Sequence, residues 1–133
     1  MQTNSPNIEI KSELLSLIKE LCSSYKEILL FSLATTDGFN VKSFASKSLN
    51  VEADKLAAMS SSLFALSDSA SSQLMKDKST ITTIESDNGH YFLMKTNYLS
   101  HTCVISMVVK SSMSLAEARF HLKKVADSIA SIT

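Results

Sequence analysis

Between Leu56 and Met75 runs a stretch of twenty residues with no glycine, no proline and one charge, Asp68. Its leucines, alanines and methionines favour helix and its serines are tolerated there. The segment therefore reads as one long helix with too little charge to keep a whole side in water. Such a helix has to touch two things at once. On a helical wheel Leu56, Met59, Leu63, Leu66, Ala70 and Leu74 form a bulky stripe, spaced three and four residues apart. A second stripe, Ala53, Ala57, Ser60, Phe64, Ser67, Ser71 and Met75, is mostly small and would let another backbone come close. Seven serines among the twenty residues argue against a membrane span, which needs predominantly apolar residues. Two arrangements stay open: a helix sandwiched inside its own domain, or a helix with its bulky stripe on the sheet and its small stripe at a subunit interface. The remaining side, Ala58, Ser61, Ser62, Ala65, Asp68, Ser69 and Ser72, is polar but barely charged, and is where a further protein would sit.

With 133 residues the chain is long enough to bury one core without metal or disulfide support, and a single domain over 1–133 is expected. Thirteen basic residues balance thirteen acidic ones with no run of like charge, which argues against DNA or RNA as a partner. Met1 to Ile10 lacks the basic start and apolar block of a signal peptide, and no later segment is apolar enough to insert in a membrane, so a cytoplasmic location is expected. Cys22 falls on a helical apolar stripe and Cys103 in an apolar strand, and both read as small buried hydrophobes.

The other elements follow from periodicity. Asn7 to Tyr25 carries Leu14, Leu17, Ile18, Leu21, Cys22 and Tyr25 at helical spacing and predicts an amphipathic first helix. Ile28–Thr35 is apolar at both parities, the pattern of a strand covered on both faces. The only glycines, in Asp37-Gly38 and Asn88-Gly89, mark two hairpins. The first joins Ile28–Thr35 to Phe39–Ala45, and the second joins Thr80–Glu85 to Tyr91–Thr96. A turn at Asn97 to Ser100 then leads into a strand over Thr102–Val109. Ser114-Leu115-Ala116-Glu117 matches a capping box at the head of a last helix buried through Leu122, Val125 and Ile129.

Chemistry is sparse. His90, His101 and His121 lie in no ligand-like spacing, and no GxSxG elbow surrounds the serines, so neither metal nor cofactor is expected. Asp37 is explained by its turn, and two separated glycines cannot form a phosphate-cradling loop. Arg119, the sole arginine, sits on the last helix, where a solvated face or an interhelical pair accounts for it better than a catalytic finger.

The order α-β-β-α-β-β-β-α, with Leu29-Leu30-Phe31-Ser32-Leu33-Ala34-Thr35-Thr36-Asp37-Gly38-Phe39-Asn40-Val41 and then Leu56-Ala57-Ala58-Met59-Ser60, resembles the Roadblock/dynein light-chain domain. The likeness runs from about Leu14 to Ile132. It departs at Glu27-Ile28, where such domains often carry Gly-Ala, and at Lys95-Thr96-Asn97, where a glycine is often found. The resemblance implies an α+β fold: a three-layer α/β/α sandwich of profilin-like, Roadblock topology around a five-stranded antiparallel sheet. It also implies a homodimer, or a pair with a paralogue, in which Ala57, Ser60, Phe64, Ser67 and Ser71 meet their counterparts. The strand containing Ile81 and Thr83 would be the edge that pairs. Because the family includes bacterial partners of Ras-like gliding-motility GTPases, the expected function is a non-enzymatic regulator or scaffold for a small Ras-like GTPase. Ala58, Ser61, Ala65 and Asp68 are the candidate contacts. The alternative is a small-molecule sensory module, which needs a cavity with convergent polar groups.

Overall fold

Ile28–Thr35 forms strand β1 over the span its two-sided apolarity predicts, and seven of its eight residues are buried. The computed structural model describes residues 7–133. Along the chain come α1 (Ser12–Ser24), β1, β2 (Asn40–Ala45), α2 (Ala53–Met75), β3 (Ile81–Glu85), β4 (Gly89–Tyr98), β5 (His101–Lys110) and α3 (Leu115–Ala130). The strands lie in the order β2-β1-β5-β4-β3, and every neighbouring pair is antiparallel. Edges are left at β2 and β3.

Alternation divides the sheet into two faces. Phe31 and Leu33 of β1, Phe92 of β4, and Ile105 and Met107 of β5 share one face. They form the main core with Leu14 and Ile18 of α1 and Leu122 and Ile129 of α3. Each such side chain contributes about 1.5–3 kcal/mol on burial. The opposite face, with Leu30, Ser32 and Ala34 on β1 and Val104 and Ser106 on β5, carries α2. The three-layer α/β/α sandwich with a five-stranded antiparallel sheet is thus the architecture of the chain.

Three local differences from the sequence reading have physical causes. Helix α1 starts at Ser12 instead of Asn7, because the Tyr98 hydroxyl, from β4, holds the preceding segment extended. It donates to the Glu9 carbonyl at 2.7 Å and accepts the Lys11 N–H at 2.9 Å. Gly38 has the positive φ (+98°) of a hairpin glycine, whereas Gly89 is required for space: a Cβ there would lie 2.7 Å from the Val109 carbonyl oxygen. The left-handed residues of the β4–β5 turn are Leu99 and Ser100, neither of them glycine. At α3 the capping serine behaves as expected, Ser114 Oγ accepting the Glu117 N–H at 3.1 Å. The Glu117 carboxylate turns instead to His121 Nε2, at 3.2 Å.

Candidate functional site

The small stripe of α2, and not the bulky one, faces the sheet. Ala57 and Ser60 are 0% exposed, and Ser71 is also buried. The reason lies in what they meet. Ser32 and Ser106 are register partners across β1 and β5, so the sheet is at its smallest beneath the helix, and a close approach requires small residues above. Ser60 Oγ donates to the Leu56 carbonyl at 2.7 Å, which leaves its lone pairs for the hydroxyls of Ser106 and of Tyr91, the latter at 3.1 Å. Ser32 Oγ is buried in the same row without a hydrogen-bond partner among the described residues.

The assignment of the bulky stripe to the sheet is therefore corrected. Leu56 is buried and Leu63 half-buried, but Leu66 is 69% and Leu74 80% exposed, with Met59 and Ala70 exposed beside them. Of the residues expected to meet a second copy, Ala57 and Ser60 are fully buried, Ser60 against the chain's own sheet, and Ser71 is buried as well. Phe64 and Ser67 are half-buried at the margin of the helix. Residue spacing revealed two stripes but not which one the sheet would accept; the paired serines Ser32 and Ser106 inside apolar strands were the available signal.

On β3 the ladder phase separates backbone from side chain. Ser86 N–H donates to the Gly89 carbonyl at 2.9 Å, so alternate residues Ile81, Thr83 and Glu85 turn their amides and carbonyls to the open edge. Ile81 leans on the main core and Thr83 is exposed. The side chains on the α2 face are those of Thr82 and Ile84, and Ile84 is 47% exposed.

The third side of α2 is less open than a wheel implies. Ala58 and Ala65 are exposed, but Ser61 sits over the β1–β2 turn, where its hydroxyl would be 3.3 Å from a Cβ at Gly38. Asp68 is engaged locally, accepting the Ser79 N–H at 3.3 Å and so closing the loop from α2 into β3.

Elsewhere, His121 is buried on α3 and packs against Tyr25, with ring centroids 4.0 Å apart and ring planes tilted by 38°, while Arg119 is exposed. No group of three or more His, Cys, Asp or Glu side chains converges among the described residues. Burial pushes both the Cys22 and the Cys103 thiol up to about 11, so each stays protonated near neutrality. Grooves lie between α1 and α3, lined by Leu17, Tyr25 and His121, and between α1 and β2. No helix among the described residues is long and apolar enough to cross a membrane.

A five-stranded antiparallel sheet with α2 on one face and the α1–α3 pair on the other, strung in this order, is the Roadblock topology. The Roadblock/LC7 domain family model matches residues 14–106, and the chain belongs to that family. Among solved structures, Myxococcus xanthus MglB matches with a TM-score of 0.77 at 16% identity, over 92% of this chain and 95% of that one. The gliding protein MglB from Thermus thermophilus matches with a TM-score of 0.78 at 12% identity, over 96% of both chains. A Roadblock/LC7 domain from Streptomyces avermitilis matches with a TM-score of 0.73 at 20% identity, over 86% of this chain and 92% of that one. At these identities the likeness is one of fold. No curated protein sequence matches the chain.

Proposed function

We propose that the chain is a non-enzymatic, dimeric regulator or scaffold that binds a small Ras-like GTPase or a complex containing one. The observation that carries this reading is the inverted α2 helix. Met59, Leu66 and Leu74 stand exposed on the same side of the sheet as Ile84 of the edge strand β3, whose outward backbone groups have no partner among the described residues. Large apolar side chains left exposed on the side of a sheet that also ends in an open edge mark a protein–protein contact. In this reading the twin helix meets Met59, Leu63, Leu66, Ala70 and Leu74, and the β3 edges join through Ile81 and Thr83. One of the structural neighbours is an MglB described in a tetrameric arrangement, which fits a chain that assembles with its own kind.

The GTPase contact would fall on the side of α2 that carries Ala58, Ser61, Ala65 and Asp68, which the twin helix leaves uncovered. With no catalytic finger placed there, regulation would act by holding switch segments in one arrangement. Affinity capture with the tagged full chain from its source cells, followed by mass spectrometry, tests the reading. Enrichment of a small GTPase that depends on the loaded nucleotide and is lost in Ala65→Arg supports it. Capture with no small GTPase above a tag-only control overturns it.

A further inference from the structure

The dimer reading uses one edge of the sheet, β3, and leaves the other. On β2 the Ser46 N–H donates to the Leu29 carbonyl at 2.8 Å, which fixes the phase of the ladder. Lys42 and Phe44 turn their backbone groups to β1, and Ser43 and Ala45 turn theirs outward. Among the described residues no other segment bonds to those outward amides and carbonyls. Natural sheets protect an edge with bulges and lysines. Here the bulge is confined to one end, where the β1–β2 register shifts between Leu33 and Ala34, and the run from Lys42 to Ala45 is regular.

Beside this edge a groove of about 540 Å³ runs between α1 and β2. Leu15, Ile18 and Cys22 line it from α1, and Phe44 lines it from β2. Leu15 and Phe44 are both exposed in spite of their size. The groove's charged lining is Lys19 and Lys42, with no acidic residue, and neither lysine has an ion-pair partner among the described residues. An open edge asks for a strand, an apolar groove for alternate apolar side chains, and two unmatched lysines for carboxylates.

We propose that the β2 edge and the α1–β2 groove take up an extended acidic segment of a different protein. The segment adds to the sheet beside Ser43 and Ala45, and every second side chain faces the groove: apolar ones between Leu15 and Phe44, flanked at the same parity by carboxylates at Lys19 and Lys42. Such strand addition draws affinity from the main chain and specificity from alternate side chains. A second copy of this chain is the poorer occupant, because β2 against β2 would bring the lysines of both copies into one groove with nothing to neutralise them.

The test is selection of a random linear peptide library on the purified full chain, with enriched peptides titrated by fluorescence anisotropy. The expected peptides carry their apolar and acidic residues at one parity, so that both kinds of side chain face the groove, and bind at least about tenfold more weakly to Lys42→Glu and to Lys19→Glu, each a change at an exposed position. Ser43→Pro removes an outward amide and can also loosen β2, so the same peptides N-methylated at alternate positions give a second reading: one parity loses binding and the other keeps it. No enriched peptide, peptides indifferent to both lysine reversals, or equal effects of methylation at the two parities would each overturn the proposal.

Discussion

The hydroxyls of Ser60 and Tyr91 stand 3.1 Å apart beneath α2, one on the helix and the other on β4. Tyr91 also lies 3.2 Å from Ser106, so helix and sheet are joined by a small hydroxyl cluster where leucines were expected. That cluster makes Ser60 a folding residue, not an interface residue. Ser60→Ala should cost about 1 kcal/mol, since Tyr91 and Ser106 can still bond to each other. Ser60→Glu places an unpaired carboxylate at a fully buried site and should cost several kcal/mol, on the order of 3–5. Urea denaturation separates the two. A Ser60→Glu protein as stable as the parent would show that α2 does not pack as described.

The outward stripe predicts the opposite pattern. Leu66→Glu with Leu74→Glu changes two highly exposed positions, so the fold of one copy should lose less than about 1 kcal/mol. A dimer that joins through this stripe should dissociate, halving the mass read by multi-angle light scattering while circular dichroism stays unchanged. If the double variant keeps the mass of a parent dimer, the twin helix does not use this stripe.

Tyr98 is 0% exposed, yet its hydroxyl reaches the segment before α1. Tyr98→Phe keeps the ring in the core and removes both bonds, to Glu9 and Lys11. The expected loss is about 1 kcal/mol. Amide exchange should quicken at Ile10 and Lys11 and stay unchanged in β4. Faster exchange throughout β4 and β5 would mean instead that the ring, not the hydroxyl, had been disturbed.

How much of this was legible follows from what periodicity can and cannot carry. Two-sided apolarity at Ile28–Thr35 fixed β1 to the residue, and Ser114 marked the head of α3, because these depend on local chemistry. The orientation of α2 was not legible from its own residues, because a helix with two apolar stripes has two self-consistent placements. The choice lay with Ser32 and Ser106, seventy-four residues apart and opposite each other only once β1 and β5 pair. The role of Gly89 was hidden for the same reason: the Asn88-Gly89 pair reads as a turn, while the Val109 carbonyl that excludes a Cβ comes from another strand.

The β4–β5 turn carries a correctable strain. Ser100 holds φ 67° and Leu99 φ 47°, a left-handed pair that glycine and asparagine adopt at less cost. Leu99 also leans on the core, so its side chain is best kept. Ser100→Gly relieves a conformation that costs about 1–3 kcal/mol and adds back about 0.5–1 kcal/mol of chain entropy. A net gain on the order of 1 kcal/mol is expected, visible as a raised denaturation midpoint with an unchanged slope. A lowered midpoint would show that the serine hydroxyl, which donates to the Leu99 carbonyl, matters more than the backbone.

The two thiols give the fold a signature in alkali. Cys22 and Cys103 are both raised by burial from 9.0 to about 11, so the unfolded chain releases these protons first. In the window between pH 9 and about 11 the folded state holds more protons than the unfolded one, and stability must therefore fall as pH rises. Below pH 9 both states carry neutral thiols and the effect vanishes. Denaturation midpoints measured across that window should drop more steeply for the parent than for Cys22→Ala/Cys103→Ala, with the lysines common to both. At pH 8 a thiol reagent should label the native protein slowly and the urea-unfolded protein at once. Parallel pH profiles for the two proteins would mean that neither cysteine is buried as the core places it.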